Sequence, residues 1–250
     1  MEGPSLKLAA EQLAPLQGEI IKAVRGNTKI EKERFLNKKI YSIFSYGKYL
    51  IFQFDQFALK VHFLLFGSFE ATINRKKVTG DYPKKIQMPR LAFELKKSHV
   101  ELYNCSVKII EGSAVRDLCD FTIDIMDDKW DEIQVIEKLK NHPDNEIADA
   151  LLDQNIFLGV GNIIKNEVLF LAKTLPEHKI GMLSLRKLRQ IITLTRSYVF
   201  KFYHWRKKFE LRKHYQVYRQ SHCQICGTKV LRRKTGTRNR VSFVCPHCQK

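Results

Sequence analysis

Four cysteines in the last 30 residues of this 250-residue chain have the spacing of a metal site: Cys223-Gln-Ile-Cys226, then Cys245-Pro-His-Cys248 after 18 intervening residues. Each Cys-x-x-Cys turn presents two thiolates, and two such turns facing each other offer the tetrahedron of sulfurs that one structural Zn²⁺ ion takes. Between the pairs lie Lys229, Arg232, Arg233, Lys234, Arg238 and Arg240, with no acidic residue. A metal-stapled hairpin carrying that charge suits a phosphate partner. A second candidate is the segment Asp153-Gln-Asn-Ile-Phe-Leu-Gly159-Val-Gly161-Asn162, a turn with two glycines that opens a helix. The first N–H groups of such a helix point outward as an anion site, and Asn162 can add a side-chain donor. Taken alone, the same segment fits a plain helix-turn-helix connection.

The charge distribution sharpens this reading. The formal net charge is +18, and residues 186–250 hold 18 Lys and Arg against the single acid Glu210. Residues 1–185 are nearly balanced, with 26 basic and 25 acidic side chains. Aromatic residues (Tyr198, Phe200, Phe202, Tyr203, Trp205, Phe209) interleave with the basic ones, as in an electrostatic footprint on nucleic acid rather than a merely solubilising surface. Cys105 and Cys119 fall outside the metal pattern, and this cysteine usage suits a reducing compartment. No signal sequence and no apolar run of the ~20 residues needed to span a bilayer is present. A soluble, cytoplasmic protein that binds nucleic acid is expected, with no membrane partner.

These groups need elements to position them. Leu6, Ala9, Ala10, Leu13 and Leu16 share one face at helical spacing, predicting an amphipathic helix over 5–17. Short β-rich runs follow at 40–44, 49–54, 58–63, 68–73, 90–95, 99–103 and 107–110, separated by turn signals at Tyr46-Gly47, Asn74-Arg75 and Gly80-Asp81. They predict an antiparallel sandwich or barrel. Beyond the acidic stretch around Asp127–Asp131 the pattern is helical, over 132–140, 146–153, 161–172 and 184–203, with Asn145 and Ser184 as expected N-caps. The fold class is therefore α+β: an N-terminal helix plus an antiparallel β-sandwich, a helical domain, and a C-terminal four-cysteine hairpin. Boundaries are expected at 1–125, 126–215 and 216–250.

Taken together, these segments resemble one family. Leu151-Leu-Asp-Gln154 through Gly159-Val-Gly-Asn162-Ile163 is similar to the helix–two-turn–helix signature of formamidopyrimidine-DNA glycosylases and endonuclease VIII. The terminal cysteines with Arg240-Val-Ser-Phe-Val-Cys-Pro-His-Cys-Gln249 resemble the zinc finger of that family. Met1-Glu-Gly-Pro4 looks like the N-terminal Pro-Glu-Gly-Pro of the endonuclease VIII branch except at its first residue. Ser45-Tyr-Gly-Lys48-Tyr-Leu50, Val61–Gly67 and Leu102–Ser106 resemble, in turn, the lysine-bearing sheet segment, the wedge loop and the endonuclease VIII version of a later strand.

The resemblance implies base excision on double-stranded damaged DNA by a monomer with one structural zinc ion. It makes the N-terminal amine, here that of Met1, the Schiff-base nucleophile, and Glu2 the general acid at the sugar ring oxygen. Lys48 then holds the phosphate beside the lesion, and Asn162 and Arg240 clamp the flanking phosphates. Leu65 fills the hole left by the flipped base. On residue type alone, Phe63–Phe66 reads as well as a core strand. Two positions depart from the family pattern: Met1 stands in place of the catalytic proline, and Ser5 where a second glutamate is usual. The large Glu2 side chain disfavours methionine removal, and the primary amine of Met1 can still form a Schiff base. Both a working glycosylase with abasic-site lyase activity and a damaged-DNA binding protein with reduced chemistry fit these residues.

Overall fold

The computed structural model describes residues 1–80 and 88–250, so Asp81 of the expected Gly80-Asp81 turn lies outside the described residues. The chain forms two compact units, one of Met1 and Ser5–Cys119, the other of Glu2–Pro4 with Asp120–Lys250.

In the first unit the apolar stripe forms α1 (Gly3–Leu13) and a following 3-10 turn, Ala14–Leu16. All five stripe residues are buried, as the helical spacing requires. Among the described residues seven strands follow: β1 (Ala23–Arg25), β2 (Ser42–Tyr46), β3 (Tyr49–Gln53), β4 (Phe57–Ile73), β5 (Lys76–Thr79), β6 (Leu91–Glu94) and β7 (His99–Glu111). They form one antiparallel sheet ordered β1-β6-β7-β4-β3-β2, with β5 on β4. The runs at 58–63 and 68–73 are the two ends of the single long strand β4, and those at 99–103 and 107–110 are both in β7. The β4–β7 pair runs through both halves of the sheet and shifts register between Phe63 and Ser68. Such a bulge bends the strands, and the halves close over one core. Phe52 of β3 and Phe93 of β6 meet there at 6.2 Å, and Phe35 touches Phe54, Phe57 and Phe93. Truncating any of these buried rings to alanine would cost ~3–5 kcal/mol.

The second unit carries α2 (Glu132–Lys140), α3 (Ile147–Leu152), α4 (Asn162–Leu171) and α5 (Leu185–Lys207), then the hairpin β8 (Leu231–Thr235) and β9 (Arg240–Val244). Ser184 caps α5, its hydroxyl accepting from Lys187 N at 3.2 Å. Asp131 caps α2 in the same way, through Ile133 N and Gln134 N. The expected Asn145 cap is not formed: the N-cap residue of α3 is Glu146, whose side chain makes no capping bond to the helix, and the Asn145 carbonyl accepts from Ile180 N. The apolar faces of the four helices, among them Leu139, Leu151, Ile164, Val168, Ile192 and Phe202, close over one core with Phe157 and Val160 of the α3–α4 turn. No helix among the described residues is long and apolar enough to cross a membrane.

Candidate functional site

The four cysteines converge. Their sulfurs all lie within 4.8 Å of one another, with Cys226 Sγ 3.5 Å from both Cys245 Sγ and Cys248 Sγ, and Cys223 Sγ 4.0 Å from Cys248 Sγ. A tetrahedron with Zn–S bonds of ~2.3 Å has its sulfurs about 3.8 Å apart, so the donor set and spacing fit that ion. Backbone amides support the turns: Ile225 N donates to Cys223 Sγ and Cys248 N to Cys245 Sγ, each at 3.4 Å. Cys223, Val217, Val230 and Cys245 pack with Phe170 of α4 in a small core of their own.

The α3–α4 turn is built around two side chains. Gln154 Nε2 donates to the Leu152 and Val160 carbonyls, and its Oε1 accepts from Gly159 N, so one amide spans the loop. At the N-terminus of α4 the expected outward-facing anion site is already filled from within the chain. The Glu2 carboxylate, 8 % exposed, accepts from Gly161 N at 3.1 Å, Ile163 N at 2.7 Å and Ile164 N at 3.3 Å. These are the unpaired amides of a helix start, where partial positive charge favours an acid. Both glycines of the turn serve this approach. A Cβ on Gly161 would lie 2.4 Å from Glu2 Cδ, and Gly159, at φ +102°, accepts from Gly3 N at 2.8 Å. Nothing in the sequence tied Glu2 to a helix start 159 positions away; only the fold does.

Asn162, the first residue of α4, turns its side chain toward the hairpin, where Nδ2 donates to the Val241 carbonyl at 3.0 Å; its Oδ1 is buried without a hydrogen-bond partner. Arg240, one residue before Val241, is exposed. Its neighbours in the hairpin are differently disposed. Arg233 forms a two-point ion pair with Glu177 at 2.6 and 3.1 Å, and Arg238 pairs with Asp153 at 3.0 Å. The local positive charge is thus smaller than the sequence count, and Arg240 is among the basic side chains left to solvent.

In the first unit, Lys48 occupies the two-residue turn joining β2 to β3, after Gly47 at φ +52°. His62 of β4 lies beside it, its Nδ1 3.2 Å from the Lys48 carbonyl and its ring 5.4 Å from Tyr49. Burial lowers the His62 pKa, and the N-terminal amine, Lys48 and Lys60 push in the same direction. Met1, Lys48 and His62 therefore share one locality, of which sequence reading supplied only the first two as chemistry. At the β4 bulge Leu64, Leu65 and Phe66 are 46, 72 and 59 % exposed, so of the Phe63–Phe66 run only Phe63, 2 % exposed, belongs to the core. Asn104 Nδ2 holds the Leu65 carbonyl at 2.5 Å, and Phe66 takes φ +62°. Gly67 is required there, since a Cβ would lie 2.5 Å from the Asn104 carbonyl oxygen. Ser5, the other departure from the family pattern, is buried.

The family model described as the formamidopyrimidine-DNA glycosylase H2TH domain matches residues 122–200. Endonuclease 8-like 3 of Xenopus laevis is 33 % identical over 82 % of this chain and 33 % of its own length. The formamidopyrimidine-DNA glycosylase of Ureaplasma parvum is 28 % identical over 91 % of this chain and 88 % of its own. Among solved structures, the formamidopyrimidine-DNA glycosylase of Lactococcus lactis, bound non-covalently to DNA containing an AP site, superposes with a TM-score of 0.84 at 23 % identity, covering both chains fully. The chain spans only 33–41 % of the length of the endonuclease 8-like 3 relatives.

Proposed function

Since this chain belongs to the formamidopyrimidine-DNA glycosylase and endonuclease VIII family, we propose that it excises damaged bases from double-stranded DNA and cleaves the resulting abasic site. The observation that carries this reading is the placement of Glu2. Three backbone amides fix its carboxylate, and a single peptide bond joins it to the Met1 amine. A nucleophile and an acid on adjacent residues, one of them immobilised, supply the proximity that glycosidic-bond cleavage needs.

In this reading the Met1 amine, with an ordinary pKa of ~7.7–8.0, is partly neutral at physiological pH and attacks C1′ of the extruded nucleotide. The new N–C1′ bond forms as the base leaves with the electron pair of the glycosidic bond and takes a proton from water, while the Glu2 carboxylate accepts a proton from the attacking nitrogen. Glu2 then delivers that proton to the deoxyribose ring oxygen, and opening of the ring gives the Schiff base. Lys48 holds the adjacent phosphate, with His62 packed against its turn. Arg240 grips a flanking phosphate, and Asn162 acts at the same place through the hairpin it braces. Leu65, exposed at the β4 bulge with constrained backbone, enters the stack in place of the flipped base. Cys223, Cys226, Cys245 and Cys248 hold one Zn²⁺ ion, which shapes the 216–250 hairpin and takes no part in the chemistry. The 1–125 segment carries the chemistry, and the 126–215 helices carry the turn that receives Glu2. The protein acts as a monomer in a DNA-containing compartment.

The test is single-turnover excision on duplexes carrying an oxidised pyrimidine or a preformed abasic site. The reading expects strand cleavage of both by the wild type, with Glu2→Gln retaining binding and losing excision. Tight binding by the wild type with no cleavage of either duplex would leave a damage-binding protein instead.

A further inference from the structure

Helix α4 meets the hairpin with three side chains at positions i, i+3 and i+4, hence on one face: Asn162, Lys165 and Asn166. All three donate to a single acceptor, the Val241 carbonyl, at 3.0, 3.3 and 3.4 Å. A carbonyl oxygen offers two lone pairs, so the donors crowd it. The strongest bond of Lys165 goes one residue further, from Nζ to Ser242 Oγ at 2.7 Å, and Ser242 Oγ lies 2.6 Å from Thr235 Oγ1 on the neighbouring strand β8. Asn166 Oδ1 accepts from Phe243 N at 2.7 Å. Three consecutive residues of β9 are thus held from one helix face, and the residue that precedes them is Arg240.

Lys165 is the unusual member. Its side chain is fully buried, yet among the described residues it forms no ion pair within 4 Å. An unpaired buried ammonium is costly, and an apolar residue of its length would serve packing alone better. Burial, with Arg240 as the next cause, pushes its pKa down to about 8, while Asp149, Glu177 and Glu2 support its charge from a distance.

We propose that Lys165 is a positioning residue for DNA binding: it locks β9 to α4 through Val241 and Ser242, and so fixes where Arg240 meets the phosphate. The inference rests on the proposed role of Arg240. It is tested by a double-mutant cycle of Lys165→Met and Arg240→Ala, with binding to a duplex containing a tetrahydrofuran abasic analogue measured over a range of salt. Zinc content and amide hydrogen exchange are followed alongside. Lys165→Met is expected to keep its zinc, to exchange the 241–244 amides faster, and to bind on the order of tenfold to a hundredfold more weakly. Its log–log salt slope should fall by about one, as for Arg240→Ala. In the Arg240→Ala background the same substitution should change affinity by less than about twofold. Should Lys165→Met lose its zinc, Ser242→Ala, which removes only the hydroxyl partner, replaces it in the cycle. Additive losses, or an unchanged salt slope, would overturn the inference while leaving the function standing. Failure of the wild type to bind the duplex at all would instead overturn the DNA-binding role of Arg240.

Discussion

The N-terminus of α4 and the β4 bulge at Leu64–Phe66 use opposite strategies. Around α4 nearly every polar group is answered: Glu2 fills the helix start, Gln154 spans the preceding loop, Asn162, Lys165 and Asn166 hold β9, and Glu167 accepts three amides of 216–218. At the bulge three large apolar side chains stand in solvent on a backbone fixed by Asn104 and Gly67. The first arrangement spends buried hydrogen bonds on position; the second leaves apolar surface uncovered. Satisfied polar networks rigidify, whereas exposed apolar tips await a partner. Substitutions in the α4 network should therefore alter folding and chemistry together, and those at the bulge should alter function alone.

The largest effect should follow loss of the metal. Cys245→Ser, or chelation, should unfold β8–β9 and abolish tight DNA binding, because binding to a four-cysteine site contributes ~10 kcal/mol or more of folding energy. Metal content, circular dichroism and a binding titration check this. Glu2→Gln should next lower the excision rate by roughly two to four orders of magnitude with affinity nearly kept. Gly161→Ala should resemble it, since the added Cβ displaces the carboxylate; a Gly161→Ala protein as fast as wild type would break the link between the helix start and chemistry. At the bulge, Leu65→Ala should shift unfolding stability by no more than ~0.5 kcal/mol yet slow cleavage of duplex substrate about tenfold, a loss on the scale of one buried apolar side chain. A stability loss of several kcal/mol would mean that the side chain belongs to a core.

The smallest effect concerns pH. The folded pKa of His62 is lowered, so the unfolded chain takes up this proton first as pH falls through ~6.5. The contribution of His62 to stability is therefore fully present above that pH and declines below it. His62→Gln should flatten this part of the stability–pH curve.

Much of this was legible in the residues. The stripe of α1 and the Ser184 cap are local patterns, and the structure keeps them. The four cysteines announce a metal by spacing, and their sulfurs do cluster. The continuity of β4 and β7 was not legible, because a bulge interrupts the alternation without ending the strand. The clamping of Glu2 was not legible, since its partners lie some 160 positions away. Lys165 was invisible for the opposite reason: a lysine between Ile164 and Asn166 on a helix reads as solvated, and only the packing of β9 buries it. The count of basic residues in the hairpin misled slightly, because Glu177 and Asp153 neutralise two of them.

The central claim is that the amine beside a clamped Glu2 performs the chemistry. Borohydride reduction during incubation with an abasic-site duplex, followed by peptide mapping of the cross-linked protein, tests it directly. The account predicts one covalent adduct, located on the Met1 amine and lost when that amine is blocked. An adduct on Lys48 or another lysine, or none despite tight binding, would contradict it.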